Sequence, residues 1–96
     1  MIERRLQSTI IKWLKEKGAY VIKTRTYPGI PVGCPDIIFL YRDEWGAIEV
    51  KADKKARFQV GQEATIEHLQ TMSDFVYVAY PENWEEIKAD LEDLFF

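Results

Sequence analysis

Five consecutive apolar residues of strand type, Ile37-Ile38-Phe39-Leu40-Tyr41, precede a stretch of turn character, Arg42-Asp43-Glu44-Trp45-Gly46, and Ala47-Ile48 then leads into Glu49-Val50-Lys51. The pattern predicts a β-hairpin with charge gathered at one end, since Asp36 enters it and Glu49 and Lys51 leave it. If Tyr41 pairs with Gly46 across a four-residue loop, Asp36 faces Lys51 and Glu49 lies diagonally from Asp36 on the same sheet face. Two carboxylates at that spacing, roughly 7–8 Å between backbones, converge their oxygens on one ion. Val50 then points to the opposite, core-forming face with Ile37, Phe39, Tyr41 and Ile48, leaving its carbonyl beside the carboxylates. A slip of one residue would separate the charges onto opposite faces.

Around the hairpin, Ile2, Leu6, Ile10, Trp13 and Leu14 recur at helical spacing over residues 2–17 and stop at Gly18, with Glu3 beside the apolar stripe. Tyr20-Val21-Ile22 begins a first strand that runs out through Lys23-Thr24-Arg25. Residues 27–35 hold three of the four prolines and two of the five glycines, a constrained loop leading into Asp36. A polar, basic connection over 52–58 opens a helix at about 59–73, on which Gln62, Ile66 and Leu69 share a face. Phe75 to Tyr80 reads as a fourth strand, apolar on both faces and so expected in the sheet interior, closed by Pro81. Trp84, Ile87, Leu91 and Leu94 define a last amphipathic helix. The order αβββαβα predicts an α/β fold with a mixed sheet flanked by helices.

A chain of 96 residues with 47% hydrophobic content suits one domain, residues 1–96. Cys34 is alone, no secretory leader precedes the first charges, and no apolar run approaches the roughly 20 residues that span a bilayer, so a cytoplasmic protein is expected. Net charge is −3, which argues against a polyanion partner until its distribution is read. Residues 1–26 carry seven Lys/Arg against two Asp/Glu, whereas residues 82–96 carry one against six. A basic N-terminal part facing nucleic acid and an acidic end facing away are compatible with that asymmetry.

Phosphodiester hydrolysis needs a nucleophilic water, stabilisation of charge on phosphorus and help for the departing oxygen, all of which a divalent cation supplies. Mg²⁺ is commonly held by one or two carboxylates and substrate phosphate, which suits Asp36 and Glu49; one Cys and one His do not suit structural zinc. Lys51 discriminates, because a metal site needs no ammonium but a phosphate-hydrolysing one gains from it, and adjacent carboxylates favour its charged form.

Gly33-x-Pro35-Asp36, Glu49-x-Lys51 in the context Ala-Ile-Glu-Val-Lys-Ala, and Gln62 on the following helix together resemble the PD-(D/E)xK nuclease superfamily. Within it, the chain is most similar to stand-alone virus-type replication-repair nuclease (VRR-NUC) modules of viruses and bacteria. The resemblance runs from Glu3 to the last helix. It implies a restriction-endonuclease-like αβββαβ core with an extra C-terminal helix, and Mg²⁺ or Mn²⁺ held by Asp36, Glu49 and the Val50 carbonyl. It also implies that Lys51 works on the attacking water, that Glu3 and Gln62 complete the site, with Glu3 a further candidate ligand, and that a homodimer cleaves structured DNA such as four-way junctions. Lys23, Arg25, Tyr27, Lys54, Lys55 and Arg57 are candidate DNA contacts.

Duller roles exist for each residue. Asp36 would bond a turn amide, Glu49 and Lys51 would form a solvated pair, Glu3 would favour a helix N-terminus, and the basic residues would merely be solvated. Trp45 at the hairpin tip would be exposed or pack on a partner, and apolar Leu94-Phe95-Phe96 would form part of a dimer interface. The rival functions are a non-catalytic DNA-binding module of the same fold and a protein-interaction adaptor.

Overall fold

A computed structural model of the chain describes residues 2–24 and 29–96. The elements are α1 (Ile2–Glu16), β1 (Tyr20–Lys23), β2 (Ile37–Tyr41), β3 (Glu44–Val50), α2 (Gln62–Gln70), β4 (Val76–Ala79) and α3 (Trp84–Leu94), the order that the hydrophobic periodicities predict. The strands form one mixed sheet in the order β1-β2-β3-β4, antiparallel except for the parallel β3–β4 pair. Parallel neighbours need a crossover connection, and the segment containing α2 supplies it.

Alternation along the strands sorts side chains into two layers. On one face, Ile37, Phe39, Ile48, Val50 and Ala79 pack with Leu6, Ile10 and Leu14 of α1 and with Trp84, Ile87 and Leu91 of α3. On the other, Ala47 and Val76 pack with Ile66 of α2, flanked by Ile38, Trp45, Phe58, Leu69 and Val78. Asp36, Glu49 and Lys51 share the parity of this second face. The short helix α2 leaves its β1 side open, where Tyr20, Ile22 and Leu40 are exposed.

The hairpin register differs from the expected one. Tyr41 pairs with Glu44 across the two-residue turn Arg42-Asp43, with Arg42 at φ +58, and Ile37 pairs with Ile48. Positive φ in a two-residue turn matches the natural twist of the strands. The register also sets Gly46 opposite Phe39, where a Cβ would lie 2.3 Å from the ring, so only glycine admits that aromatic side chain. The shift is two residues, so every side chain keeps its predicted face while Asp36 now falls directly opposite Glu49.

β4 lies at the sheet edge and not in the interior. It is apolar on both faces because helices cover both, and its outer backbone is shielded by side chains: Gln70 Nε2 donates to Val76 O (3.2 Å) and Asn83 Nδ2 to Val78 O (2.9 Å). The C-terminal end also departs from expectation. Leu94 is exposed, but Phe95 is buried at 5.1 Å from the Phe39 ring and 4.8 Å from that of Phe75. Phe96 packs edge-on against Trp13 and Tyr41. These phenylalanines belong to the core of this chain, which removes them as an exposed interface, and Trp45 is half-buried against the α2-side cluster. Among the described residues no helix is long and apolar enough to cross a membrane.

Candidate active site

The site lies where β2 and β3 end together, and the backbone there explains its shape. The amides of Ala47 and Lys51 donate to the β4 region, to Phe75 O (2.9 Å) and Ala79 O (2.8 Å). By alternation the peptide groups of Ile48 and Val50 therefore face β2. Opposite Val50 the register places Pro35, which has no N–H for the Val50 carbonyl. The Val50 amide is instead taken by Asp36 Oδ2 at 2.9 Å. Asp36 thus fills a backbone-bonding role with Oδ2, and among the described residues no hydrogen bond engages its Oδ1.

Glu49 does not form a solvated pair with Lys51. It is only 3% exposed; Oε2 lies 3.3 Å from Lys51 Nζ, while Oε1 is buried with no hydrogen-bond partner among the described residues. Burial, and next the charge of Asp36, push its carboxyl up to about 7 against the opposing pull of Lys51. Lys51 is buried too. Its Nζ donates to Gln62 Oε1 (2.8 Å) and Arg57 O (3.3 Å) and lies 5.1 Å from the centre of the Phe58 ring. Gln62 Oε1 also accepts from the Gln59 amide at 3.2 Å, so the start of α2 is tied directly to the ammonium.

A hollow of about 390 Å³ opens over these groups, with Glu3, Thr24, Cys34, Asp36, Glu49 and Lys51 among its walls. Five predicted side chains therefore meet: Glu3, Asp36, Glu49, Lys51 and Gln62 all line it. Glu3 is exposed at the start of α1, and among the described residues no three acidic, His or Cys side chains form a metal-binding cluster. The inner set is accordingly two carboxylates and the Val50 carbonyl. Lys23, Lys54, Lys55 and Arg57 are exposed outside the hollow, and Arg25 and Tyr27 lie outside the described residues.

Three contributors were not singled out from the sequence. Thr24 is buried, gives its amide to Asp36 O (2.9 Å) and its hydroxyl to Pro35 O, and so fixes the approach to Asp36. Alternation along the expected first strand, which already includes Thr24, sets it on the face opposite Lys23 and so on the side of Asp36. Gln59 supports Gln62; it falls at the expected start of the second helix, but α2 begins only at Gln62 and Gln59 lies in the irregular segment before it. Gly33, quoted only as part of a motif, holds the loop against α2 at φ +85, where a Cβ would sit 2.8 Å from Thr65 Oγ1 and 3.0 Å from Gly61 O. Gly33→Ala should cost about 1–3 kcal/mol, from left-handed backbone strain and the clash, and lower any activity by loosening this wall. Denaturant melts of the variant test it; an unchanged midpoint would contradict the packing role.

The donor set fits a hard divalent cation. Glu49 offers a desolvated oxygen with no partner among the described residues, Asp36 a second carboxylate, and Val50 a carbonyl facing Pro35, which has no N–H to give it, all oxygen ligands of the type Mg²⁺ and Mn²⁺ take. A cation must displace the proton that Glu49 holds below about pH 7, so affinity should fall as pH drops beneath that value. Calorimetric titration with Mn²⁺ at pH 6 and pH 8 measures this, and equal affinity at both would remove Glu49 as the ligand. No protein-family model, curated protein or solved structure matches the chain.

Proposed function

We propose that this protein is a metal-dependent endonuclease that hydrolyses DNA phosphodiester bonds, acting on branched or four-way-junction DNA as a homodimer. The observation that carries the reading is the buried Glu49 carboxylate with an orphaned oxygen, opposite Asp36 in the ladder and bonded to a buried lysine. A fold gains little stability from sequestering such a charge cluster, since buried ion pairs repay their desolvation poorly. A site that receives a cation and a phosphate accounts for it.

Asp36, Glu49 and the Val50 carbonyl would hold Mg²⁺ or Mn²⁺, which when bound polarises the phosphoryl group and acidifies water. Asp36 is oriented for this by the Val50 amide, and Glu49 by Lys51. Lys51 stands at the wall of the hollow with its ammonium fixed by Gln62 and the Arg57 carbonyl, so it orients the water or meets the developing charge on phosphoryl oxygens without reorganising. Gln62 is a positioning residue that acts through Lys51, and Glu3 at the rim faces incoming substrate. A second copy of the chain would find an apolar surface in Tyr20, Ile22 and Leu40, a test for which is sedimentation of a Tyr20→Ser/Leu40→Ser variant.

The direct experiment incubates purified protein with duplex, flap and four-way-junction DNA in Mg²⁺, Mn²⁺ or EDTA. Cuts that require metal support the reading; protein that binds DNA with no cleavage under any metal would favour the non-catalytic module. Lys51→Met is expected to lower the rate about 10²- to 10³-fold, the usual loss for one preorganised charge. Lys51→Arg should also be impaired, because the slot between Gln62 and Phe58 is shaped to an ammonium. Full rate in Lys51→Arg would instead assign Lys51 to positive charge alone.

A further inference from the structure

Outside the hollow, the described residues contain a second groove of about 630 Å³ between α1 and the edge strand β1, walled by Ser8, Ile11, Lys12, Lys15, Glu16 and Lys23. We infer that this groove is a backbone-phosphate site that grips the nucleic-acid strand flanking the cut, an inference that rests on the proposed nuclease reading.

Three cations line the groove against one carboxylate, Glu16, in a chain whose net charge is −3. Among the described residues none of the three is within ion-pair distance of a carboxylate; the pairs that form involve Lys17, Lys51 and Lys88. Such lysines remain available to an external anion. Beside α3 the charge runs the other way. The hollow beside α3 is lined by Glu86, Asp90 and Asp93 and would repel a phosphodiester.

Location ties the groove to the site. Lys23 lines the groove and its neighbour Thr24 lines the catalytic hollow, so the two adjoin across the edge strand. α1 spans both, with Glu3 at the hollow and Lys12 and Lys15 nine and twelve residues further along. At 1.5 Å per residue that is roughly 14–18 Å, or about four to five phosphates along one strand of a duplex. The groove thus addresses phosphates remote from the cleaved one, and the aliphatic Ile11 side chain gives it a floor that reads no base. Its contribution is affinity and placement without sequence preference.

The test compares wild type, Lys12→Ala/Lys15→Ala/Lys23→Ala and Lys12→Arg/Lys15→Arg/Lys23→Arg in DNA-binding titrations with a four-way junction in EDTA across a salt series. The alanine variant should reduce the slope of log affinity against log salt by about 2–3, near 0.9 per phosphate contact, and the arginine variant should keep it. Hydrolysis of bis(p-nitrophenyl) phosphate in Mn²⁺, which engages the hollow alone, should be equal in all three. An alanine variant that folds and keeps the wild-type slope overturns the groove assignment while leaving the nuclease reading intact. Wild-type protein that binds the junction with the expected slope yet hydrolyses neither substrate overturns the nuclease reading and keeps the groove. Absence of salt-dependent binding in wild type overturns both.

Discussion

Glu49→Gln is expected to abolish metal-dependent cleavage, by on the order of 10³-fold or more, while making the metal-free protein more stable above neutral pH. The amide keeps the shape of the side chain but removes the charge that burial disfavours. The sign follows from proton linkage. The folded protein raises this carboxyl from 4.5 to about 7, so Glu49 binds a proton in the native state over a range where the unfolded chain has released it. Its stabilising contribution is fully present below about pH 4.5 and is lost as pH rises through about 7. Thermal melts in EDTA should therefore show the Gln variant gaining on wild type between pH 5 and pH 8. A variant that loses both activity and stability at pH 8 would mean that Glu49 is a structural ion-pair partner and not a site held open for a cation.

Phe95→Ala is expected to cost about 3–5 kcal/mol, the usual loss for emptying a buried aromatic site, and so a large part of the stability of a small domain. Its ring is 7% exposed and meets Phe39, Phe75 and Phe96 edge-on at centroid distances of 5.1, 4.8 and 4.9 Å. Leu94→Ala, one residue earlier and exposed, should change stability by less than about 0.5 kcal/mol. Urea unfolding of the pair checks the contrast. Equal midpoints would place the last residues outside the cooperative core.

The faces of the strands were legible because alternation has a period of two, so Asp36, Glu49 and Lys51 could be set on one face and Val50 on the other without knowing the turn. The register was not, since Glu44 and Trp45 have turn-like company and were counted into the loop; the clue lay in Gly46, which a phenylalanine on the facing strand requires. Burial of Glu49 was equally hidden, because it depends on α2 and residues 29–34 folding over that end of the sheet, a tertiary event with no local signature. β4 read as interior because helices on both faces leave the same apolar record as neighbouring strands would. The stripe of α3 continues past Leu91 to Phe95, and choosing Leu94 instead made a core residue look like a sticky end. Lys12 and Lys15 carry no signal of their own in the sequence; the fold, by setting β1 against α1, brings Lys23 beside them in one groove.

The Arg42-Asp43 turn is exposed and lies about 17 Å from the carboxylates at 3.3 Å per residue, yet its length calibrates them. One added residue there would either rotate Glu49 into the hydrophobic layer or slide Asp36 out of alignment, so the hairpin tip tolerates exchange of side chains far better than any change in count. Drift in this protein should accordingly show substitutions at 42 and 43 but no insertions or deletions between Asp36 and Glu49.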